Sequence, residues 1–256
     1  MSDYEYQYGF SLQNPEVFDA ASREKKARSA LAVLREAGRG DPATQRLLNV
    51  GASSGAMDAI FAQAFGHVVG IDIDEHAIAF AQQHSIRANL EFRIGDALDI
   101  PFAADTFDVV VCSQVYEHVP DQPRLFAEIR RVLRPGGCCY FAATNRLVLI
   151  EPHYRLPFLS WLPRPLANVY LRVLGRGNRY YERMHGLAEL RRLTTAFRVV
   201  DFTQAMLADP ARYEIEYMLR PGSLQQRVAL LWVRWLPATF RGYIWLLYKD
   251  AEVGRV

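Results

Sequence analysis

Cysteine is scarce in this chain of 256 residues, and the three present, Cys112, Cys138 and Cys139, are poorly placed for cross-linking. An odd number with two adjacent excludes a disulfide framework, and no pair has the spacing of a structural zinc site. Reduced, buried thiols in a cytoplasmic protein are the expectation. Long apolar runs are missing too. No uninterrupted stretch approaches the ~18 residues that suggest a membrane span. The start, Met1-Ser-Asp-Tyr-Glu-Tyr, is polar and acidic, without the basic and then apolar pattern of a secretory signal. No segment repeats and none is of low complexity. Net charge is small, +2 from 30 Lys+Arg and 28 Asp+Glu. The arginines stand singly, with no basic cluster or nucleic-acid module, which argues against RNA or DNA as a partner.

What is present is enough to fold and is unevenly charged. Half of the residues are hydrophobic and 23 % are charged, so the chain can bury a core and is not a disordered polymer. Residues 1–145 hold 13 Lys+Arg against 19 Asp+Glu, a balance of −6, while residues 146–256 hold 17 against 9, a balance of +8. The basic part also contains all four tryptophans, Trp161, Trp232, Trp235 and Trp245. The two parts therefore face different partners.

From about Arg46 to Asn145, short β-branched runs alternate with helical patterns, the signature of βαβ units and a parallel sheet. Strands are expected at Arg46–Gly51, His67–Ile73, Leu90–Ile94, Phe107–Ser113 and Cys138–Ala143. Helices are expected at Ala56–Phe65, Glu75–His84 and Gln122–Val132, the last stopped by Arg134-Pro-Gly-Gly. One or two helices over Pro15–Arg35 precede the core. Beyond Asn145 the rhythm breaks: residues 146–184 contain Pro152, Pro157, Pro163 and Pro165, and an amphipathic stretch with Leu166, Val169, Tyr170, Val173 and Leu174 on one face. A helix over Gly186–Thr195 and a strand over Phe197–Phe202 restore order. A second irregular excursion, residues 204–240, carries the run Val228-Ala-Leu-Leu-Trp-Val, and a strand over Tyr243–Tyr248 closes the chain.

A parallel sheet binds its ligand at the carboxyl ends of its strands, near the reversal in strand order. The first strand ends Leu47-Leu-Asn-Val-Gly-Ala-Ser-Ser-Gly55 and runs into a helix. Glycine there allows close approach of backbone to ligand, and a helix start offers free N–H groups. The same pattern serves in ordinary turns. Asp72 and Asp74 follow the second strand; Asp74 suits a helix N-cap, and Asp72 suits a ribose diol. Gly95-Asp96-Ala97 closes the third strand, where an acidic side chain and a backbone N–H suit an adenine, or make a plain turn.

Taken in order, these residues resemble the class I S-adenosylmethionine-dependent methyltransferases over about residues 45–145. Asn49-Val-Gly51-Ala-Ser53-Ser-Gly55 looks like their glycine motif, Gly70-Ile-Asp72-Ile-Asp74 like their ribose-binding strand end, and Gly95-Asp96-Ala97 like their adenine-binding step. Phe107-Asp-Val-Val-Val-Cys-Ser-Gln114, then Glu117-His118-Val-Pro and Leu133-Arg-Pro-Gly-Gly137, complete the series. The resemblance implies an α/β fold: a doubly wound, Rossmann-like sheet of seven strands with the last antiparallel, and helical lid insertions. It implies S-adenosyl-L-methionine as cofactor, held by Asn49, Gly51, Ser53, Gly55, Asp72, Ile73, Asp96, Ala97 and Gln114. Within a single domain of residues 1–256, residues 1–45 supply N-terminal helices and residues 46–145 the cofactor core. Residues 146–184 and 204–242 supply lid and acceptor insertions, and residues 185–203 and 243–249 the rest of the core.

Two positions depart from the family. Asn49 stands where Asp or Glu is usual, and Ser53 where Gly is usual. Losing the carboxylate removes a charge-assisted partner for the cofactor's ammonium, so Asn49→Asp is expected to tighten cofactor binding or leave it unchanged. The same departures suit a relative that binds the cofactor without catalysis. A dinucleotide fingerprint would want Gly at 51, 53 and 56, where the chain has Gly51, Ser53 and Ala56.

Methyl transfer needs no metal, but a hydroxyl or amine acceptor must lose a proton. His118, His153 and His185 are the candidate bases. His118 equally suits a loop-ordering or capping role, His153 a solvated loop, and His185 a cap near Gly186. In the relatives that methylate ubiquinone precursors a Glu-x-x-Glu-His run binds a divalent metal; here its first member is Gln114, so no metal site is expected. The insertions either pack their apolar faces into a closed small-molecule pocket or present Leu156-Pro-Phe-Leu-Ser-Trp161-Leu-Pro-Arg164 and Trp232-Val-Arg-Trp235-Leu-Pro to an anionic membrane surface. The expected reaction is methylation, chiefly at oxygen, of a small or lipid-linked metabolite by a cytoplasmic enzyme, with peripheral contact at the inner membrane face under the second reading.

Overall fold

The computed structural model describes residues 5–38 and 40–250. The polar start of the chain, residues 1–4, read above as lacking a signal sequence, lies outside the described residues.

Five parallel strands follow the expected order: β1 (Arg46–Val50), β2 (His67–Asp72), β3 (Leu90–Ile94), β4 (Phe107–Ser113) and β5 (Leu133–Thr144). After the short hairpin β6 (Ile150–Glu151) and β7 (Leu156–Pro157) come β8 (Arg198–Asp201) and β9 (Gly242–Tyr248). The sheet order is β3-β2-β1-β4-β5-β9-β8, and β9 pairs antiparallel with both neighbours. Strand order reverses between β1 and β4, which places the ligand crevice beyond their carboxyl ends.

The strands are buried on both faces, so alternate residues feed two cores. Leu48, Val50, Val110, Cys112, Cys139, Phe141 and Trp245 point to one face, where α5 (Gln122–Val132) and α7 (Leu187–Leu193) cover them. Leu47, Val68, Val111, Cys138, Tyr140 and Leu246 point to the other, beneath α2 (Ala20–Glu36) and α3 (Ala56–Phe61). The period of two sends Cys138 and Cys139 to opposite cores, and all three cysteines are buried and free. Helix α1 (Phe10–Gln13) precedes α2, and α4 (Glu75–His84) follows β2 with Asp74 as its N-cap, accepting from His76 N and Ala77 N. Some boundaries differ from expectation: α3 ends at Phe61 rather than Phe65, and β8 spans only Arg198–Asp201. The segment Leu133-Arg-Pro-Gly-Gly is already the start of β5, because Leu133 pairs with Phe107 before the register shifts.

The excursions are more regular than their composition suggests. Residues 146–184 hold the hairpin and α6 (Arg164–Val173), packed through Leu156, Leu159, Ala167, Leu171 and Tyr180. Helix α6 buries Ala167 and Leu171, while Leu166, Val169, Val173 and Leu174 of the apolar face read from the sequence are exposed. The helix has two apolar stripes, and periodicity alone does not say which one meets the body. The second excursion contains α8 (Thr203–Ala208) and α9 (Leu224–Trp235), the latter capped by Ser223. Among the described residues no helix is long and apolar enough to cross a membrane.

Candidate active site

A pocket opens at the carboxyl ends of β1, β2 and β4, at the strand-order reversal. Its floor is the turn after β1. Gly51 sits there at φ +78°, and a Cβ on it would lie 2.5 Å from Val115 Cγ2, so the turn requires glycine on both steric and conformational grounds. Ser53 also holds a left-handed conformation, at φ +51°, and this is the backbone strain that the departure from glycine carries. Its N–H donates to Asp72 Oδ2 at 2.8 Å, while Asp74 N donates to Asp72 Oδ1 at 3.0 Å. Burial pushes the Asp72 carboxyl upward, opposed by these backbone donors. Each of its oxygens keeps a further lone pair for a hydroxyl.

Gly51, Ser53, Asp72, Ile73, Ala97 and Gln114 all line the pocket. Three expected cofactor residues do not. Asn49 is buried behind the turn, its amide donating to Asp58 Oδ2 at 2.9 Å. Gly55 begins α3 at φ +73°, and a Cβ there would strike Phe92 and Ala81, so its role is helix–strand packing. Asp96 turns back to accept from Leu98 N at 2.7 Å, leaving Gly95 and Ala97 at the wall. A carboxyl does stand beside position 49, that of Asp58, but it is fully buried and does not line the pocket, and burial pushes it up to about 7 despite the Asn49 hydrogen bond. Asn49 is therefore a donor to a buried acid. Asn49→Asp would therefore also carry a cost in stability, because it would set two carboxyls against each other.

The remaining cofactor wall comes from a segment that sequence reasoning left unassigned. Phe10, Ser11, Asn14 and Val17 cross the pocket mouth, with Arg23 and Lys26 of α2 beside them. Ser11 N donates to Asp74 Oδ2 at 2.7 Å, and Ser54 Oγ to Val17 O at 2.8 Å, which tie the segment to the strand ends. Burial pulls both the Arg23 guanidinium and the Lys26 ammonium down, while Asp72 and Asp19 support the charge on Arg23. A glycine turn, an acid at the end of β2, two cations and the apolar Val50, Met57, Ile71 and Ala77 fit a nucleoside joined to an amino-acid tail. Nothing in the sequence around Arg23 marks it as a pocket residue.

The opposite wall is formed by His118 and His153 with Pro152. Their rings meet edge to face at 4.9 Å, and His118 also packs on Phe10 at 5.3 Å. His118 does not cap α5, because Asp121 does, accepting from Arg124 N. Burial holds the His118 imidazole well below its usual range, and its Nδ1 has no partner. Nor is His153 a solvated loop residue. Its Nδ1 lies 2.7 Å from Glu151 Oε1, and Glu151 Oε2 accepts from Tyr154 N at 2.7 Å. Burial lowers its basicity, but the Glu151 hydrogen bond and the charges of Glu182, Glu151 and Glu117 prevail and raise it to about 9. Burial likewise pushes Glu117 and Glu182 up to about 7. His185 stands apart from this pocket. Its ring nitrogens face Gln122 Oε1 and Glu189 Oε2, and its N–H donates to the Tyr116 hydroxyl. It ties the start of α7 to the turn after β4, while Gly186 is the N-cap and Glu189 accepts from Gly186 N.

Residues 48–141 match the family model described as a methyltransferase domain. Over these residues the chain carries a methyltransferase domain. Its match covers the glycine turn, Asp72 and the strand-order reversal, and the antiparallel seventh strand completes the same architecture. Among curated proteins, it is 32 % identical over 154 residues to the ubiquinone biosynthesis O-methyltransferase of Aromatoleum aromaticum, covering 59 % of this chain and 62 % of that one. It is also 32 % identical over 134 residues to phosphoethanolamine N-methyltransferase 3 of Arabidopsis thaliana, covering 51 % and 25 %. The chain spans 44–62 % of the length of the ubiquinone relatives it matches. The fold is shared with the YcgJ protein of Bacillus subtilis (TM-score 0.53, 18 % identity, covering 88 % of this chain and 98 % of that one). It is shared too with geranyl diphosphate C-methyltransferase of Streptomyces coelicolor, solved with Mg2+, geranyl-S-thiolodiphosphate and S-adenosyl-L-homocysteine (TM-score 0.53, 17 % identity, covering 86 % and 74 %).

Proposed function

We propose that this protein binds S-adenosyl-L-methionine and methylates an oxygen of a small metabolite, one that includes a lipid-linked class. The observation that carries the reading is a single undivided pocket, with Gly51, Ser53 and Asp72 on one side and His118 and His153 on the other. The likeness to ubiquinone O-methyltransferases supports oxygen as the acceptor atom. When bound, the cofactor supplies an electrophilic methyl group on a sulfonium. Asp72 holds the ribose, Arg23 and Lys26 take the carboxylate of the amino-acid tail, and Phe10 with Val17 excludes water from the mouth. His118, kept neutral by burial, accepts the hydroxyl proton at a ring nitrogen as the oxygen attacks.

Calorimetric titration with S-adenosylmethionine and S-adenosylhomocysteine tests the cofactor side, and absence of binding by folded protein overturns the reading. Turnover against a panel of hydroxylated acceptors separates an enzyme from a protein that only binds the cofactor. His118→Asn is expected to lower kcat by about 10²–10⁴-fold with cofactor affinity retained.

The exposed faces of the insertions support the membrane reading over the closed-pocket one. On α9, Leu224, Val228, Leu231 and Trp235 form one exposed stripe flanked by Arg227 and Arg234. On α6, Leu166, Val169 and Val173 are exposed beside Arg172 and Arg176. Apolar stripes edged with arginine suit an anionic lipid surface, where a lipid-linked acceptor would be delivered. Co-sedimentation with anionic but not neutral vesicles, weakened by salt and by Trp235→Ala, is the expected result. No sedimentation at low salt ends this reading and leaves a soluble acceptor.

A further inference from the structure

Behind the His153 wall lies a group of ionisable side chains that cofactor binding does not use. Glu151 and His153 come from the hairpin of the first insertion, and Glu182 from the extended chain after α6. One ligand atom from each of Glu151, His153 and Glu182 lies within 4.8 Å of the other two. Glu151 has no exposure and Glu182 only 2 %. Neither carboxylate oxygen of Glu182 has a hydrogen-bond partner, and the nearby Tyr180 hydroxyl is unpartnered as well. Glu117, fully buried, adjoins His153 on its other side with both oxygens also unpartnered.

Leaving charged oxygens buried and unpaired is among the costliest arrangements in a folded protein. A partner that brings positive charge to several oxygens at once offsets that cost. No described Lys or Arg side chain is within ion-pair distance of Glu151 or Glu182, and His153, already against Glu151, provides at most one charge. A compact cation with several ligand positions meets the requirement. We propose that Glu151, His153 and Glu182 bind one divalent transition-metal cation, of the Mn2+ or Zn2+ kind, which locks the insertion and fixes the His153 ring at the acceptor wall. Two carboxylates with one imidazole suit such ions, whereas an all-oxygen set would favour Mg2+ or Ca2+. The set lies outside the incomplete run that begins at Gln114, whose side chain instead accepts from Thr144 Oγ1. The site does not depend on the methyl-transfer reading, because all three ligands stand clear of the cofactor wall.

The test uses the full chain, freed of metal by a chelator and dialysed. MnCl2 is titrated in while unbound Mn2+ is followed by electron paramagnetic resonance, with ZnCl2 as competitor. One Mn2+ per chain, displaced by one Zn2+, with a higher melting temperature on loading, is the expected result. Glu182→Gln should weaken Mn2+ binding by at least about tenfold, while titration with S-adenosylhomocysteine reports whether the variant remains folded. Wild-type protein that takes up neither ion overturns the proposal, and needs no variant to do so. Mn2+ binding that survives Glu182→Gln but is lost in Glu117→Gln also overturns it, by moving the ion to the Glu117, His118 and His153 side.

Discussion

The two walls of the pocket handle buried charge in opposite ways. On the cofactor side, Asp72 accepts from Ser53 N and Asp74 N, and Asp74 accepts from Ser11 N, His76 N and Ala77 N. These carboxylates are met by backbone N–H groups that the strand–turn–helix geometry must place there. Behind the other wall, Glu117 and Glu182 are deeply buried and their oxygens make no well-formed hydrogen bond. A wall satisfied by its own backbone is a finished scaffold for any bound nucleoside. The unpartnered acids behind the other wall are the ground for the metal site proposed above.

The sharpest way to break this comparison is Glu151→Ala. It strips His153 and Tyr154 N of their buried partner, and breaking such a pair costs about 3–5 kcal/mol. The melting temperature should fall by on the order of 10 °C, while S-adenosylhomocysteine affinity in the folded protein stays near wild type. Lost affinity would mean that the walls are not independent. Asp72→Ala is the reciprocal change. Removing an ionised acceptor costs about 1.5–3 kcal/mol, a roughly 10–150-fold weaker Kd by calorimetry, and unchanged affinity would misplace the ribose.

Asn49→Asp tests whether the turn is as self-satisfied as its geometry says. It removes the donor to Asp58 and sets two buried acids at hydrogen-bond distance, so a destabilisation of about 1–3 kcal/mol is expected in chemical denaturation. Tighter cofactor binding without loss of stability would restore the simpler view drawn from the family pattern. The smallest effect concerns Asp58 itself. Its carboxyl titrates at about 7 in the fold against 3.8 when free. The folded state thus holds its proton more tightly than the unfolded chain, and that stabilising contribution is lost as pH rises from about 4 through 7. Asp58→Asn should therefore show a melting-temperature advantage over wild type that grows between pH 5 and pH 8, at about 2–4 °C per kcal/mol for a chain of this size. A constant difference across that range would place the proton elsewhere.

The cofactor wall was largely legible because its parts are local. A strand that ends in Gly51 and runs into a helix states its own geometry, and Asp72 and Ala97 occupy strand ends that repeat the same βαβ unit. The misreadings there also have local causes. Asn49 and Gly55 lie inside the motif, but side-chain alternation and a helix start turn them into the body, and Asp96 closes its own turn. Arg23 escaped because nothing in its neighbourhood in sequence reveals that α2 crosses the pocket.

On the acceptor side, the sequence leaves His153 open between a base and a solvated loop residue. Its burial follows from the hairpin that folds Glu151 under it and from Glu182 arriving from beyond α6, contacts made by tertiary packing rather than by spacing. The same holds for α6, which packs on Leu156, Leu159 and Tyr180 through Ala167 and Leu171 and leaves its larger apolar stripe outward.

By itself the sequence determined the alternation of strands and helices, the direction of the sheet, the glycine turn and the acid beyond β2. These depend on side-chain period and backbone freedom, which act over a few residues. Only the tertiary structure decided which histidine meets the pocket, which acid stands beside Asn49, and which carboxylates are left without a partner. Those outcomes depend on desolvation and on distances between segments far apart in the chain, quantities that exist only once the chain has closed on itself.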